Sequence, residues 1–335
     1  PKDEVSGSGE SSSLIWTAPQ MRAVTKWYMV SGNRDALKFA TELKNYIMQP
    51  KFWGGKVEVD GVCGPEHAHW FGHYHGRMTV LQALIDYAIA VNDYQLKEFV
   101  RQGYEYCRQF GIARIGFFPD WVPPSPGTNS QGCGTGRIIG LAIKLSDSGI
   151  GDYWDDVDQY IRNMGTEMQI VDPEPLKKVA AASPAHAVKP GVETGDNVIE
   201  RTIGSYFGIN TPTHAEMTQS WGCCTSNGTQ GLFYAWEGAL RYDKEQRVAR
   251  VNLLLNRASK WLDVDSHLPY KGKVVLHNKT ARMIFVRIPG WVDKGAVKCK
   301  VDQRATPALW SGNYLLFPKV KKGQEVIIEF PMVIE

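Results

Sequence analysis

The chain has 335 residues, with 38 Lys+Arg against 35 Asp+Glu and a formal net charge of +3. That balance, without a block of like charge, argues against a nucleic-acid binder, which would gather Lys and Arg on one face or tail. No window approaches eighteen uninterrupted apolar residues, which excludes a membrane-spanning helix.

Residues 1–13 carry a Gly/Ser-rich run and read as a flexible lead-in. The start has neither an initiator Met nor a leader pattern, so the compartment stays open between cytoplasm and periplasm. The oligomeric state also stays open. From 14 to 243 one pattern recurs: a helix, a short polar turn, a second helix. It spans 23–48, 81–110 and 140–164, with apolar residues at helical spacing, as in Leu81, Leu84, Ile85 and Ala88. The turns at Ser31-Gly32-Asn33, Asn92-Asp93 and Gly149–Asp152 set helix stops beside N-caps. A further helix is predicted over 225–242. Repeated helix pairs predict a solenoid or a closed α/α toroid. A Pro- and Gly-rich stretch, 171–216, interrupts it and has the length of a functional loop. After Lys244 the period changes to two, in runs at 247–255, 273–277, 282–288, 296–301, 314–318 and 325–330. These predict an antiparallel β-sandwich over 244–335, and with it a two-domain chain, α then all-β.

The 11 Trp, 14 Tyr and 12 Phe are a surplus of flat rings, which suit both a core and a sugar cleft. Six cysteines, Cys63, Cys107, Cys133, Cys223, Cys224 and Cys299, are too few for a disulfide scaffold at this length. Adjacent cysteines rarely bridge each other, so Cys223-Cys224 reads as a pair of working thiols. Three segments could carry chemistry. The first, 64–76, holds Glu66, His67, His69, His73 and His75 just before a helix; its histidines suit sugar hydroxyls or simply cap the helix start. The second, Gln131-Gly132-Cys133, opens a helix after Phe118-Pro119-Asp120-Trp121. The third, Trp221-Gly222-Cys223-Cys224, opens another. Helix starts favour thiolates, and three thiolates would suit tetrahedral zinc. The spacing is not a paired C-x₂-C, so zinc and buried structural thiols both stay open on the residues alone.

The order HGRMTVLQALIDYA (75–88), QGCGTGRIIGLAIKLSDSGIGDYWDDVDQYIRN (131–163) and CCTSNGTQGLFYAWEGALRY (223–242) resembles glycoside hydrolase family 127. Bacterial β-L-arabinofuranosidases are its best-known members. The resemblance covers about 64–335 and implies a helical toroid followed by β-sandwich domains, of which this chain is the later part. It also implies zinc, with Cys223 as nucleophile and metal ligand and with Cys133 and Cys224 as further ligands. Where the family has a ligating Glu, this chain has Gln131, which leaves the ligand set one unit less negative. Asp120 is the carboxylate in the segment that supplies the family's acid/base Glu; Glu193 and Glu216 are reserve candidates. Asp158 matches a further active-site Glu, and His75, with His73 as the near alternative, matches a substrate-binding histidine. Trp70, Trp121 and Trp221 lie in the three motif segments and are candidates for stacking on substrate. Trp16, Trp27, Trp154, Trp236, Trp261, Trp291 and Trp310 are expected in cores.

The expected function is that of a retaining glycoside hydrolase with a zinc-bound cysteine nucleophile, acting on plant or bacterial oligosaccharide or polysaccharide. Its rivals are a sugar-binding relative with a silenced site and a polysaccharide lyase, since α/α toroids host both chemistries. Turnover of aryl glycosides separates the first rival, and an unsaturated, ultraviolet-absorbing product marks the second.

Overall fold

The computed structural model describes residues 12–53, 68–70, 72–122, 129–211 and 220–332. The chain divides into two compact units, one ending at Leu232 and the other starting at Phe233. In the first, α1 (Ser12–Ser31) and α2 (Arg34–Ile47) pack as a pair. Asn33 caps α2 by accepting from the amides of Asp35 and Ala36 at 2.9 and 3.0 Å. Helices α3 (Tyr74–Val91) and α4 (Tyr94–Arg108) form the second pair. Asn92 closes α3 in the left-handed region at φ 55°, and the Asp93 side chain accepts from Leu96 N at 2.9 Å. Helices α5 (Gly132–Asp147) and α6 (Trp154–Arg162) form the third. The expected pairs are therefore present, and their caps are the turn residues that the sequence offers.

Helix α3 is buried from Gly76 to Ala88 and packs against α1, α4 and α5. An all-round buried helix must satisfy any charge it carries. Asp86 of α3 does so by meeting Arg22 of α1 at 3.1 Å and Lys144 of α5, so one carboxylate ties three helices together. Beyond α7 (Met164–Glu167), the predicted loop 171–216 holds two short helices, α8 (Glu174–Ala182) and α9 (Val198–Thr202). Helix α10 (Gly222–Gly238) follows. The helix expected to run to Tyr242 stops here, because Leu240–Asp243 pairs as a strand with Val248–Val251.

The second unit is built from β3 (Leu240–Asp243), β4 (Val248–Val251), β5 (Leu262–Ser266), β6 (Lys273–Asn278), β7 (Met283–Arg287), β8 (Lys298–Val301), β9 (Arg304–Thr306), β10 (Leu309–Ser311), β11 (Tyr314–Phe317) and β12 (Glu325–Glu329). They form two five-stranded sheets, ordered β10-β11-β7-β4-β3 and β5-β6-β12-β8-β9. All described pairs in them are antiparallel except β4–β7, which is parallel and departs from the purely antiparallel expectation. Inward residues of both sheets, among them Val251, Ile284, Val286 and Leu315 from one and Val264, Leu276, Val326 and Ile328 from the other, share one buried cluster. Strands β3, β5, β9 and β10 fall outside the predicted runs. No helix among the described residues is long and apolar enough to cross a membrane.

Four tryptophan expectations are corrected. Trp154 is buried, but Trp16 and Trp27 on α1, Trp236 on α10 and Trp291 are 70%, 56%, 46% and 42% exposed, so their rings do not form core.

Candidate functional site

Glycines bring the starts of α5 and α10 together. A Cβ on Gly136 of α5 would lie 2.0 Å from the Asn227 carbonyl oxygen of α10, and one on Gly231 would lie 2.7 Å from Gly136 Cα. Any larger residue at either position would force the helices apart. Tyr206, from the segment between α9 and α10, packs its ring against Gly132 and Gly228 and so walls both helix starts. The Tyr206 hydroxyl donates to the Gly165 carbonyl at 3.1 Å.

This approach gathers Cys133 of α5 with Cys223 and Cys224 of α10. Cys133 and Cys224 sulfurs are 3.8 Å apart, Cys223 and Cys224 sulfurs 3.9 Å, and all three lie within 4.8 Å of one another. Two sulfurs on a single tetrahedral zinc, each at about 2.3 Å, stand about 3.8 Å apart, so the donor set fits a zinc ion. Cys133 and Cys224 are buried beside Phe117, Met164, Met168 and Tyr206, whereas Cys223 is exposed. Hydrogen bonding from the Cys133 thiol, then from Cys224, pulls the Cys223 thiol down to about 6. The same contacts with Cys223 and Cys224, together with burial, push Cys133 well up. The trio thus concentrates its negative charge on the one sulfur that solvent reaches.

A second set of side chains adjoins the sulfurs through Gln131. This residue precedes α5 with extended backbone (φ −121°, ψ 139°), and its side chain makes no cap hydrogen bond. Its Oε1 accepts from the Cys133 thiol at 3.2 Å, and its Nε2 donates to Asp120 Oδ2 at 2.8 Å. The other carboxylate oxygen, Oδ1, is 3.1 Å from His73 Nε2, which also lies 3.4 Å from Gln131 Oε1. Two acceptor oxygens lie within 3.4 Å of that nitrogen, an arrangement that suits the tautomer with the proton on Nε2. The two short strands β1 (Gly72–His73) and β2 (Trp121–Val122) create this adjacency, because their antiparallel register sets His73 opposite Trp121. The Tyr74 amide also donates to the Asp120 carbonyl at 2.8 Å. The Trp121 ring, half-buried, lies 5.6 Å from the His73 ring.

The structure brings together Cys133, Cys223, Cys224, Gln131, Asp120, His73 and Trp121. His75 is at the edge of this set, with its ring 5.7 Å from that of His73. Burial, then His73, lowers its imidazole to about 3, so it stays neutral, and its Nε2 has no hydrogen-bond partner among the described residues. Trp221 is 37% exposed and packs its indole over Gly208. Trp70 is a correction: it is fully buried, edge-on to Tyr74 and Tyr106, and its ring has no open face for a sugar. Asp158 lies on α6 and pairs with Arg162 at 2.8 Å along its own helix. Glu193 is exposed, where its carboxylate accepts from the Lys189 amide and meets His186 at 3.0 Å. Cys63, Glu66, His67 and Glu216 lie outside the described residues. Tyr206 escaped the sequence reading, since nothing in the 171–216 stretch distinguishes it from a core aromatic.

Neither a protein-family model nor a curated protein matches the sequence. Solved structures do. A GH127 β-L-arabinofuranosidase from Geobacillus stearothermophilus T6 superposes with a TM-score of 0.60 at 14% identity over 94% of this chain and 54% of its own. A protein described as a glycoside hydrolase gives a TM-score of 0.62 at 15% identity, covering 97% of this chain and 57% of its own. A GH127 β-arabinofuranosidase gives 0.63 at 16%, covering 93% and 51%. The chain therefore spans about half the length of the structures it matches, and at these identities what it shares with them is the fold, helices followed by β-sheets.

Proposed function

We propose that this chain carries the active centre of a retaining glycoside hydrolase of the GH127 kind, with the helical unit as part of an α/α toroid and the two sheets as a sandwich. The observation that carries the reading is the trio of sulfurs from two helix starts, with Cys223 alone exposed. Cys133, Cys223 and Cys224 would hold zinc, with Gln131 Oε1 as the oxygen ligand. Bound zinc supplies a fixed positive charge that keeps the thiols deprotonated at neutral pH.

The remaining chemistry belongs to the chain. Cys223 Sγ attacks the anomeric carbon; the bond to the leaving oxygen breaks, and that oxygen takes a proton from the Asp120–His73 pair. The same pair then removes a proton from water as the water attacks that carbon and the carbon–sulfur bond breaks. Two inversions return the original configuration. Trp121, Trp221, His73 and His75 contribute sugar contacts.

The test is a panel of aryl arabinofuranosides, galactosides and uronides on protein of known metal content. Release of the aryl group, with a first-formed sugar of retained configuration by NMR, is the expected result. Metal-loaded protein that binds sugar without turnover would mark a silenced site, and an unsaturated product would mark a lyase.

A further inference from the structure

Gln131 has an amide that can present either end to the sulfurs, and the two ends are not equivalent. An oxygen can join a metal's ligands; an NH₂ group cannot. Asp120 decides between them. Its Oδ2 stands 2.8 Å from the Gln131 nitrogen, and a carboxylate only accepts. With the amide turned over, two acceptor oxygens would face each other at that distance, and the NH₂ would point at the Cys133 thiol. With the amide as it stands, Oε1 faces Cys133 at 3.2 Å. The side chain makes no helix-cap bond, its further contact being His73 Nε2 at 3.4 Å from Oε1, and Gln131 is 8% exposed.

Charge follows the same path. An amide bonded through its NH₂ to a carboxylate has a more negative oxygen than a free amide. Asp120 thus sets a negative charge one hydrogen bond behind a neutral ligand, against three thiols that would otherwise face the metal with no carboxylate. Asp120 is itself fixed, because its amide donates to Asn129 O at 2.6 Å and its carbonyl accepts from the Tyr74 amide at 2.8 Å.

We propose that Asp120 and Gln131 act as one composite ligand: Asp120 is a positioning residue that orients and polarises the Gln131 amide so that its oxygen completes the metal site formed by Cys133, Cys223 and Cys224. This rests on the metal-centre reading above and assigns Asp120 a task separate from proton transfer, carried by its other oxygen.

The test uses the full chain and two probe metals, Zn²⁺ by competition with a chromophoric chelator and Co²⁺ by absorption. Wild type, Asp120→Asn, Gln131→Glu and the double variant are compared. Groups that hydrogen-bond a metal ligand typically contribute about 10- to 100-fold in affinity, so Asp120→Asn should weaken Zn²⁺ binding by that factor. It should also shift the Co²⁺ ligand-field bands while leaving the sulfur-to-cobalt absorption, which reports the thiolates, unchanged. Gln131→Glu should restore affinity in the Asp120→Asn background, because a carboxylate presents oxygen from either side. Gln131→Glu alone should gain less, since it sets two carboxylates against each other. If Asp120→Asn fails to fold, that last comparison still decides, against the double variant or against a Gln131→Ala control. Unchanged Zn²⁺ affinity and cobalt bands in Asp120→Asn overturn the proposal. A wild type without sulfur-to-cobalt absorption instead overturns the metal centre beneath it.

Discussion

In the sheet unit, Cys299 of β8 lies in the shared core, 4% exposed, and burial pushes its thiol up to about 11. At the starts of α5 and α10, Cys223 is exposed, and neighbouring thiols draw it down to about 6. The residue type is the same, but its surroundings act on it in opposite directions. A thiol among aliphatic side chains loses solvation without gaining donors and stays neutral. A thiol at a helix start, flanked by other S–H donors, has its anion stabilised where solvent can reach it. Cys107, on α4, follows the first pattern: burial lifts it to about 12 even though Tyr74 Oη donates to its sulfur at 3.3 Å. Helix starts and glycine contacts therefore decide which cysteines are gathered and which thiol is drawn down.

The sharpest way to break this contrast is to exchange the sulfurs for methyl groups. Cys223→Ala should lower turnover on any accepted glycoside by on the order of 10⁴- to 10⁶-fold, as removal of a covalent nucleophile does. Cys299→Ala should leave turnover intact and cost about 1 kcal/mol of stability in denaturant melts, the usual result of a small core truncation. Asp120→Asn keeps the shape and removes the carboxylate. Its kcat should fall by about 10²- to 10⁴-fold if the Asp120–His73 pair transfers the proton.

The titrations differ as well. In metal-free protein, alkylation of Cys223 by iodoacetamide should be half-maximal near pH 6, because the reactive form is the thiolate, and should fall as pH drops below that value. Cys299 and Cys107 should stay unreactive until the chain unfolds. A midpoint near the ordinary thiol value of about 8.5 would remove the electrostatic half of the comparison. A further contrast concerns the backbone. Gly136→Ala puts a methyl group 2.0 Å from the Asn227 carbonyl, so it should cost about 1–3 kcal/mol and release zinc. Gly149→Ala, at φ +75° with nothing within 4 Å, should cost about 1–2 kcal/mol in backbone strain and keep the metal.

Much of the helical unit is legible in sequence because its signals are local. Asn33 and Asp93 announce the starts of α2 and α4, and the spacing of Leu81, Leu84, Ile85 and Ala88 announces a buried face. The Cys223-Cys224 pair announces two sulfurs of the cluster that Cys133 completes. What stays hidden depends on contacts distant in sequence. The Asp120–His73–Gln131 adjacency rests on two-residue strands, too short to leave a periodic trace. The parallel β4–β7 pairing joins strands with no shared turn. Leu240–Asp243 continues a helical pattern and becomes strand only because Val248–Val251 is there to pair with it. Asp263 and Asp265 of β5 look like turn residues, yet they alternate with the buried Leu262 and Val264. Trp70 sits in a histidine-rich motif and still serves as core, a matter of which way its ring turns.

The central claim is that Cys133, Cys223 and Cys224 form one metal site. Elemental analysis of the purified chain, repeated on Cys133→Ser and Cys224→Ser, tests it directly. The account predicts one zinc per wild-type chain, loss of that zinc in both variants, and protection of Cys223 from alkylation only while the metal is bound. A wild-type chain that takes up no zinc from buffer and whose Cys223 alkylates equally with and without added metal would contradict it.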